Sequence, residues 1–96
     1  ESSMTIGILP ADLIIPESNS LKDKRRVIRS IRDRCLARMN MSVAEVDSQD
    51  SRKLATLAFA TVAADHNTVN KRLSAVSTML ESEPRCTILN IATELL

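Results

Sequence analysis

Residues 20–39 read SLKDKRRVIRSIRDRCLARM. Within this stretch Leu21, Val27, Ile28, Ile31, Cys35 and Met39 recur at helical spacing and fall within an arc of about 120°, the width of a core-facing stripe. Ser20 has the chemistry of an N-cap, and Asp23 three residues later completes a capping-box pattern with Asp in the Glu position. The spacing therefore predicts a helix from Ser20 to Arg38, about five turns long. Upstream, Thr5 to Ile15 is rich in Ile and Leu and is followed by the turn signal Pro16-Glu17-Ser18-Asn19, the pattern of a strand and its exit. Pro10 lies inside that run and cannot donate a ladder hydrogen bond, so a bulge or an unpaired position is expected there.

Downstream, Met41 to Ser48 and Lys53 to Ala63 read as two strands joined by the turn Ser48-Gln49-Asp50-Ser51, a hairpin. Asp65 can cap a second helix over Asn67 to Ser82, in which Val69, Leu73, Val76 and Leu80 recur at spacings of four, three and four. Pro84 blocks its continuation. Cys86 to Glu94 reads as a last strand. The order is β-α-β-β-α-β, which predicts an α+β ferredoxin-like βαββαβ domain: a four-stranded antiparallel sheet with two helices on one face. Its expected extent is residues 4–96, with Glu1-Ser2-Ser3 read as a remnant ahead of a natural start at Met4.

The composition agrees with one modest core. Of 96 residues, 44% are apolar and 26% charged, ordinary for a globular chain. The longest apolar runs fall well short of the ~20 residues of a membrane span. With no basic-then-apolar leader, a secretory signal is not expected, and the expected location is cytoplasmic. The single glycine, Gly7, excludes glycine-rich phosphate loops. The single aromatic, Phe59, removes the stacking platforms that most single-strand RNA readers use.

Net charge is only +1, but it is unevenly placed. Leu21 to Met39 carries Lys22, Lys24, Arg25, Arg26, Arg29, Arg32, Arg34 and Arg38 against Asp23 and Asp33, a net +6; the other residues carry five basic and ten acidic groups, a net −5. Lys22, Arg25, Arg26, Arg29 and Arg32 gather on the face opposite the apolar stripe, with Asp33 among them, in a ridge about 15 Å long. Such a ridge suits the phosphates of an RNA backbone, giving sequence-independent, salt-sensitive binding with a slope of roughly −3.5 to −4.5 for five contacts. A solvated outer face and an acidic protein partner are the other readings of the same pattern. Lys24 falls in the middle of the apolar arc. It is expected to snorkel past the end of the sheet or to pair with Asp47 or Asp50.

The sheet strands carry apolar residues on both parities: Leu57 and Phe59 against Leu54, Ala58 and Ala60, and Leu89 and Ile91 against Ile88 and Ala92. A sheet face without helices should alternate to polar. An apolar one suggests a homodimer or another partner surface, against the reading of a residual patch on a monomer.

Other chemistry is thinner. Glu45 and Asp47 share a strand face at period two, with Asp50 nearby, but lack the turning loop and glycine of a hard-cation site; a charged edge strand is the expectation. Cys35 and Cys86 fall at opposite ends of the sheet, too far apart to bridge, and are expected as two reduced thiols. His66 opens the second helix and reads as a surface histidine. No catalytic residue, cofactor, metal or small-molecule substrate is expected.

The strings SLKDKRRV at 20–27, MSVAEVDSQD at 41–50 and Ala55-Thr56-Leu57 together resemble the YlxP-like family of small bacterial proteins, over nearly the whole chain from Met4 onward. The resemblance implies a ferredoxin-like fold. It also implies, through genes that lie beside translation initiation factor two and ribosome-binding factor A in many bacteria, a role in ribosome assembly or translation, with ribosomal RNA or a ribosomal protein as partner. The chain departs from the family where an aromatic often follows the Gln-Asp pair: here stands Ser51-Arg52-Lys53. A partner contact through that aromatic does not carry over.

Overall fold

A computed structural model describes residues 3–96; for Glu1 and Ser2 the reading as a remnant lies outside the described residues. The elements run β1 (Thr5–Ile14), α1 (Leu21–Arg38), β2 (Ser42–Asp47), β3 (Leu54–Ala63), α2 (His66–Glu81), β4 (Thr87–Ile91) and a two-residue β5 (Glu94–Leu95). The sheet order is β2-β3-β1-β4, antiparallel throughout, with β5 also on β1. This is the expected ferredoxin-like α+β arrangement, with one added short strand.

That added strand has a local cause. β1 pairs with β3 without interruption over all ten residues, Pro10 included. On its other side Pro10 has no N–H to give. There β4 ends at Ile91 and β5 begins only at Glu94, and the Pro10 carbonyl takes Ala92 N at 3.2 Å. The missing donor thus divides the last strand in two rather than bulging the first.

Both helix starts are capped as their sequences require. Ser20 Oγ accepts from Asp23 N at 3.0 Å, and Asp23 Oδ2 accepts from Asn19 N at 3.1 Å, one residue ahead of the usual capping-box partner. Asp65 Oδ1 accepts from Thr68 N at 2.8 Å. Past the end of α1, Asn40 takes a left-handed conformation (φ 48°), which asparagine tolerates better than most residues.

The core lies between the helices and one face of the sheet. Leu9, Leu13, Leu57 and Phe59 meet Val27, Ile28, Ile31 and Cys35 of α1 and Val69, Leu73, Val76 and Leu80 of α2. Each such side chain contributes about 1.5–3 kcal/mol of burial. Gly7 lies under α2, where a Cβ would run into Val69 Cγ1 and close on Leu73 Cδ1 at 3.1 Å. The only glycine therefore stands where a helix approaches backbone.

Two bulges set which residues face the core. Between β2 and β3 the register moves from Glu45 opposite Leu57 to Asp47 opposite Thr56, leaving Val46 extra. Between β1 and β4 it moves from Asn90 opposite Asp12 to Ile88 opposite Leu13, leaving Leu89 extra and exposed. Glu45 and Asp47 consequently do not share a face, contrary to the period-two expectation. Ile88 and Ile91 both pack against the core instead of alternating.

Candidate nucleic-acid interface

The foundation of the site is Lys24, which is buried with only 1% of its side chain exposed. Its ammonium donates to the carbonyl oxygens of Ser48 at 2.9 Å and Leu54 at 3.1 Å, with Gln49 O at 3.4 Å. Glu45 Oε2 lies 2.8 Å away. That oxygen is buried and takes no aligned hydrogen bond, so its attraction to Lys24 is Coulombic. The contacts satisfy three N–H donors and neutralise one buried charge, the condition under which such a charge is tolerated. They also gather the hairpin turn, including Ser48 in its left-handed conformation (φ 62°), beneath the first turns of α1. The expected partners Asp47 and Asp50 are corrected to Glu45. The bulge at Val46 turns Glu45 inward and Asp47 outward, where Asp47 Oδ1 accepts from Ser48 N at 2.7 Å. Nor does Lys24 snorkel to water.

Above this anchor stand Lys22, Arg25, Arg26, Arg29 and Arg32, all exposed. Among the described residues none of the five makes an ion pair. Their positions on an 18-residue helix give the ridge expected from the sequence. Leu36, also exposed, extends the same line toward the C-terminal end of α1.

The ridge is not a plain convex face. Arg25, Arg29 and Arg32, spaced by four and three residues, line a groove of about 190 Å³ between α1 and the edge strand β2, with Ile28 and with Val43, Ala44 and Glu45 opposite. A second hollow lies among Lys22, Arg25, Arg26 and Arg29. The β2 side of the groove escaped the sequence reading. Its signal would have been a carboxylate within reach of the misplaced Lys24, but the bulge hides which carboxylate that is.

Arg34, on the same helix, has a different role. Its Nη2 lies 2.6 Å from Glu83 Oε1. Arg85 reaches the same carboxylate through Nη2 at 2.7 Å and Nε at 2.9 Å, and its backbone N donates at 3.0 Å. Arg85 Nη2 also donates to Ser30 Oγ of α1 at 3.0 Å. Glu83 is 2% exposed and its pKa is held down at about 2, chiefly by the Arg85 hydrogen bonds and then by Arg34, against the opposing cost of burial. This cluster ties α1 to the segment leading into β4, and nothing in the sequence pattern pointed to it.

The thiols are both free, with Cys35 buried and Cys86 partly so. Burial pushes the Cys35 pKa up to about 11, only partly countered by Arg34. Burial and the Glu83 carboxylate raise that of Cys86. His66 is exposed as the first residue of α2. Among the described residues no group of three or more His, Cys, Asp or Glu could hold a metal, and no helix is long and apolar enough to cross a membrane.

The sheet face away from the helices presents Ile6, Ile8, Pro10 and Ile14 of β1 beside Val62, Ala60, Ala58 and Leu54 of β3. Leu54 and Val62 are 42% and 54% exposed. Its central polar pair is closed on itself, Thr56 Oγ1 donating to Asp12 Oδ1 at 2.8 Å. The face is apolar where an uncovered sheet should be polar.

A family model described as "Protein of unknown function (DUF503)" matches residues 6–93. The uncharacterised protein YlxP of Bacillus subtilis (strain 168) is 30% identical over 79 residues, covering 82% of this chain and 86% of that one. The chain belongs to this YlxP-like DUF503 family. Solved structures share the fold at low identity. The de novo designed protein Foldit4 matches with a TM-score of 0.55 at 8% identity, covering 98% of this chain and 97% of that one. The structural-genomics protein YJCS matches at 0.55 and 6%, covering 93% and 96%. A dimeric ferredoxin-like protein from an uncultured marine organism matches at 0.52 and 8%, covering 97% and 94%. At such identities the likeness is one of fold alone, and it agrees with the ferredoxin-like assignment of the family member described here.

Proposed function

We propose that this protein is a non-enzymatic, cytoplasmic accessory protein of the ribosome or of translation that contacts RNA phosphates through α1. The observation that carries the reading is the set of five exposed cations, Lys22, Arg25, Arg26, Arg29 and Arg32, unpaired among the described residues and aligned on one helix face. Guanidinium groups predominate, and their forked donors match phosphate oxygens bidentately. The absence of aromatics apart from buried Phe59 favours backbone contact over base stacking. The translation setting rests on the gene neighbourhood that the family resemblance implies.

Binding to a small-subunit ribosomal RNA fragment, followed by fluorescence anisotropy, tests it. Raising salt from about 50 to 200 mM should weaken binding by roughly 100- to 500-fold for five phosphate contacts. The quadruple variant R25E/R26E/R29E/R32E should bind no RNA at either salt. Wild-type protein that does not bind, or a variant that binds as well as wild type, rejects the proposal.

A second reading is favoured by a separate observation, the apolar open face of the sheet: association of two copies through that face. At about 3.3 Å per residue and 4.8 Å per strand, ten-residue β1 and β3 with six-residue β2 and five-residue β4 present roughly 500 Å². Two such faces together reach the ~1,000 Å² of a specific interface. The dimeric ferredoxin-like neighbour gives this reading further support. Sedimentation velocity at micromolar concentration should show a dimer that Ala58→Arg converts to a monomer; a monomeric wild-type protein removes the reading.

A further inference from the structure

The groove between α1 and β2 contains a group that a simple phosphate cradle would exclude. Arg25, Arg29 and Arg32 of α1 line one wall, and Glu45 of β2 belongs to the other. Glu45 is not placed there by chance rotation. Its Oε2 is buried and held by the Lys24 ammonium at 2.8 Å, while the side chain as a whole is 19% exposed and lines the groove. A fixed carboxylate repels phosphate oxygens and accepts hydrogen bonds from O–H or N–H donors. A ligand that fits both walls must carry an anionic oxygen and a donor close to it.

Resting on the RNA reading above, we propose that Glu45 makes this groove selective for ribose over deoxyribose, by accepting a hydrogen bond from the 2′-hydroxyl of a nucleotide whose phosphate is held by Arg25, Arg29 and Arg32. The 2′-hydroxyl is the donor that a ribonucleotide has beside its phosphodiester and a deoxyribonucleotide lacks, and it is the feature by which proteins separate the two polymers. Lys24 gives the acceptor its orientation in advance and offsets its repulsion of the phosphate from below. The groove keeps a cationic excess, since three arginines and one glutamate line it.

The same arrangement supplies a discriminating substitution. In Glu45→Gln, the Lys24 charge still attracts the amide oxygen and repels the NH2, so the amide turns its NH2 toward the groove and presents a donor where an acceptor stood. The test compares an RNA hairpin with the same hairpin bearing 2′-O-methyl groups, which keeps A-form geometry and removes the hydroxyl donor. Wild-type protein should bind the unmodified RNA tighter by roughly ten- to 150-fold, the range for one hydrogen bond to a charged acceptor. E45Q, with its fold checked by circular dichroism and thermal unfolding, should bind both hairpins alike, with affinity for the methylated one unchanged or raised. An unfolded E45Q is replaced by Glu45→Asp, which shortens the acceptor's reach and should also narrow the ratio. Equal binding of the two hairpins by wild-type protein, abolished by R25E/R26E/R29E/R32E, overturns the inference and leaves the phosphate reading standing. Discrimination that persists in the folded Glu45 variant also overturns it. Absence of binding to either hairpin overturns both.

Discussion

Lys24 and Arg29 lie five residues apart on α1 and behave in opposite ways. Lys24 is buried against Glu45 and the carbonyls of Ser48 and Leu54. Arg29 is exposed, and among the described residues it makes no ion pair. Arg34 sides with Lys24, held by Glu83. Lys22, Arg25, Arg26 and Arg32 side with Arg29. The helix thus carries two populations of cation, one spent on joining α1 to the rest of the chain and one left facing solvent. Composition alone cannot separate them. Burial and the presence of a carboxylate do, and they identify the second population as the one available to an external anion.

The largest expected effect comes from the first population. Lys24→Met keeps the length of the side chain and removes its charge, stranding the Glu45 carboxylate and leaving the Ser48 and Leu54 carbonyls without their donor. Removing one member of a buried pair costs about 3–5 kcal/mol, so urea denaturation should show a midpoint far below wild type with an unchanged slope. The double variant K24M/E45L should regain part of that loss, because the stranded charge is then gone. A single variant within about 1 kcal/mol of wild type would place Lys24 in the same population as Arg29.

The Glu83 cluster should come next. Glu83→Gln leaves Arg34 and Arg85, 31% and 43% exposed, to be solvated by water, so the cost is about 1–2 kcal/mol. Its pH dependence is more telling. The Glu83 pKa lies at about 2 in the folded protein against an ordinary 4.5. The unfolded chain takes up the proton first as pH falls, so the stability given by this carboxylate is full above about pH 4.5 and drains away toward about pH 2. E83Q should flatten that limb of the stability profile while lowering the plateau at neutral pH. Parallel wild-type and E83Q profiles would show that the cluster does not carry the acid sensitivity.

What the sequence disclosed and what it withheld divide along the same physical line. Ser20, Asp23 and the Val27, Ile28, Ile31, Cys35 stripe act within one helix, so spacing alone placed α1 and its outward ridge. Lys24 stood out as misplaced for the same reason. Its partner was misjudged because the bulge at Val46 depends on how β2 pairs with β3, and one extra residue puts Glu45 and Asp47 on opposite faces. Leu89 and β5 were missed on similar grounds, since they follow from pairing along β1 around Pro10. Arg34 and Glu83 are 49 residues apart. Their meeting requires the packed helix layer, which no local period encodes.

The smallest expected effect on stability belongs to the ridge, and it is the most exacting test of the contrast. Lys22 and Arg25 lie near the N-terminal end of α1, where the helix dipole is positive and a cation is unfavourable. Arg25→Gln and Arg29→Gln should therefore change unfolding free energy by under about 0.5 kcal/mol, with Arg25→Gln neutral or slightly stabilising. Each should nevertheless lower the salt slope of RNA binding by about one. Stability and binding would then respond to different cations on one helix, which two separate populations require. An Arg29→Gln protein that unfolds more than about 1 kcal/mol more easily would mean that the ridge supports the fold, and α1 would carry one population of cations rather than two.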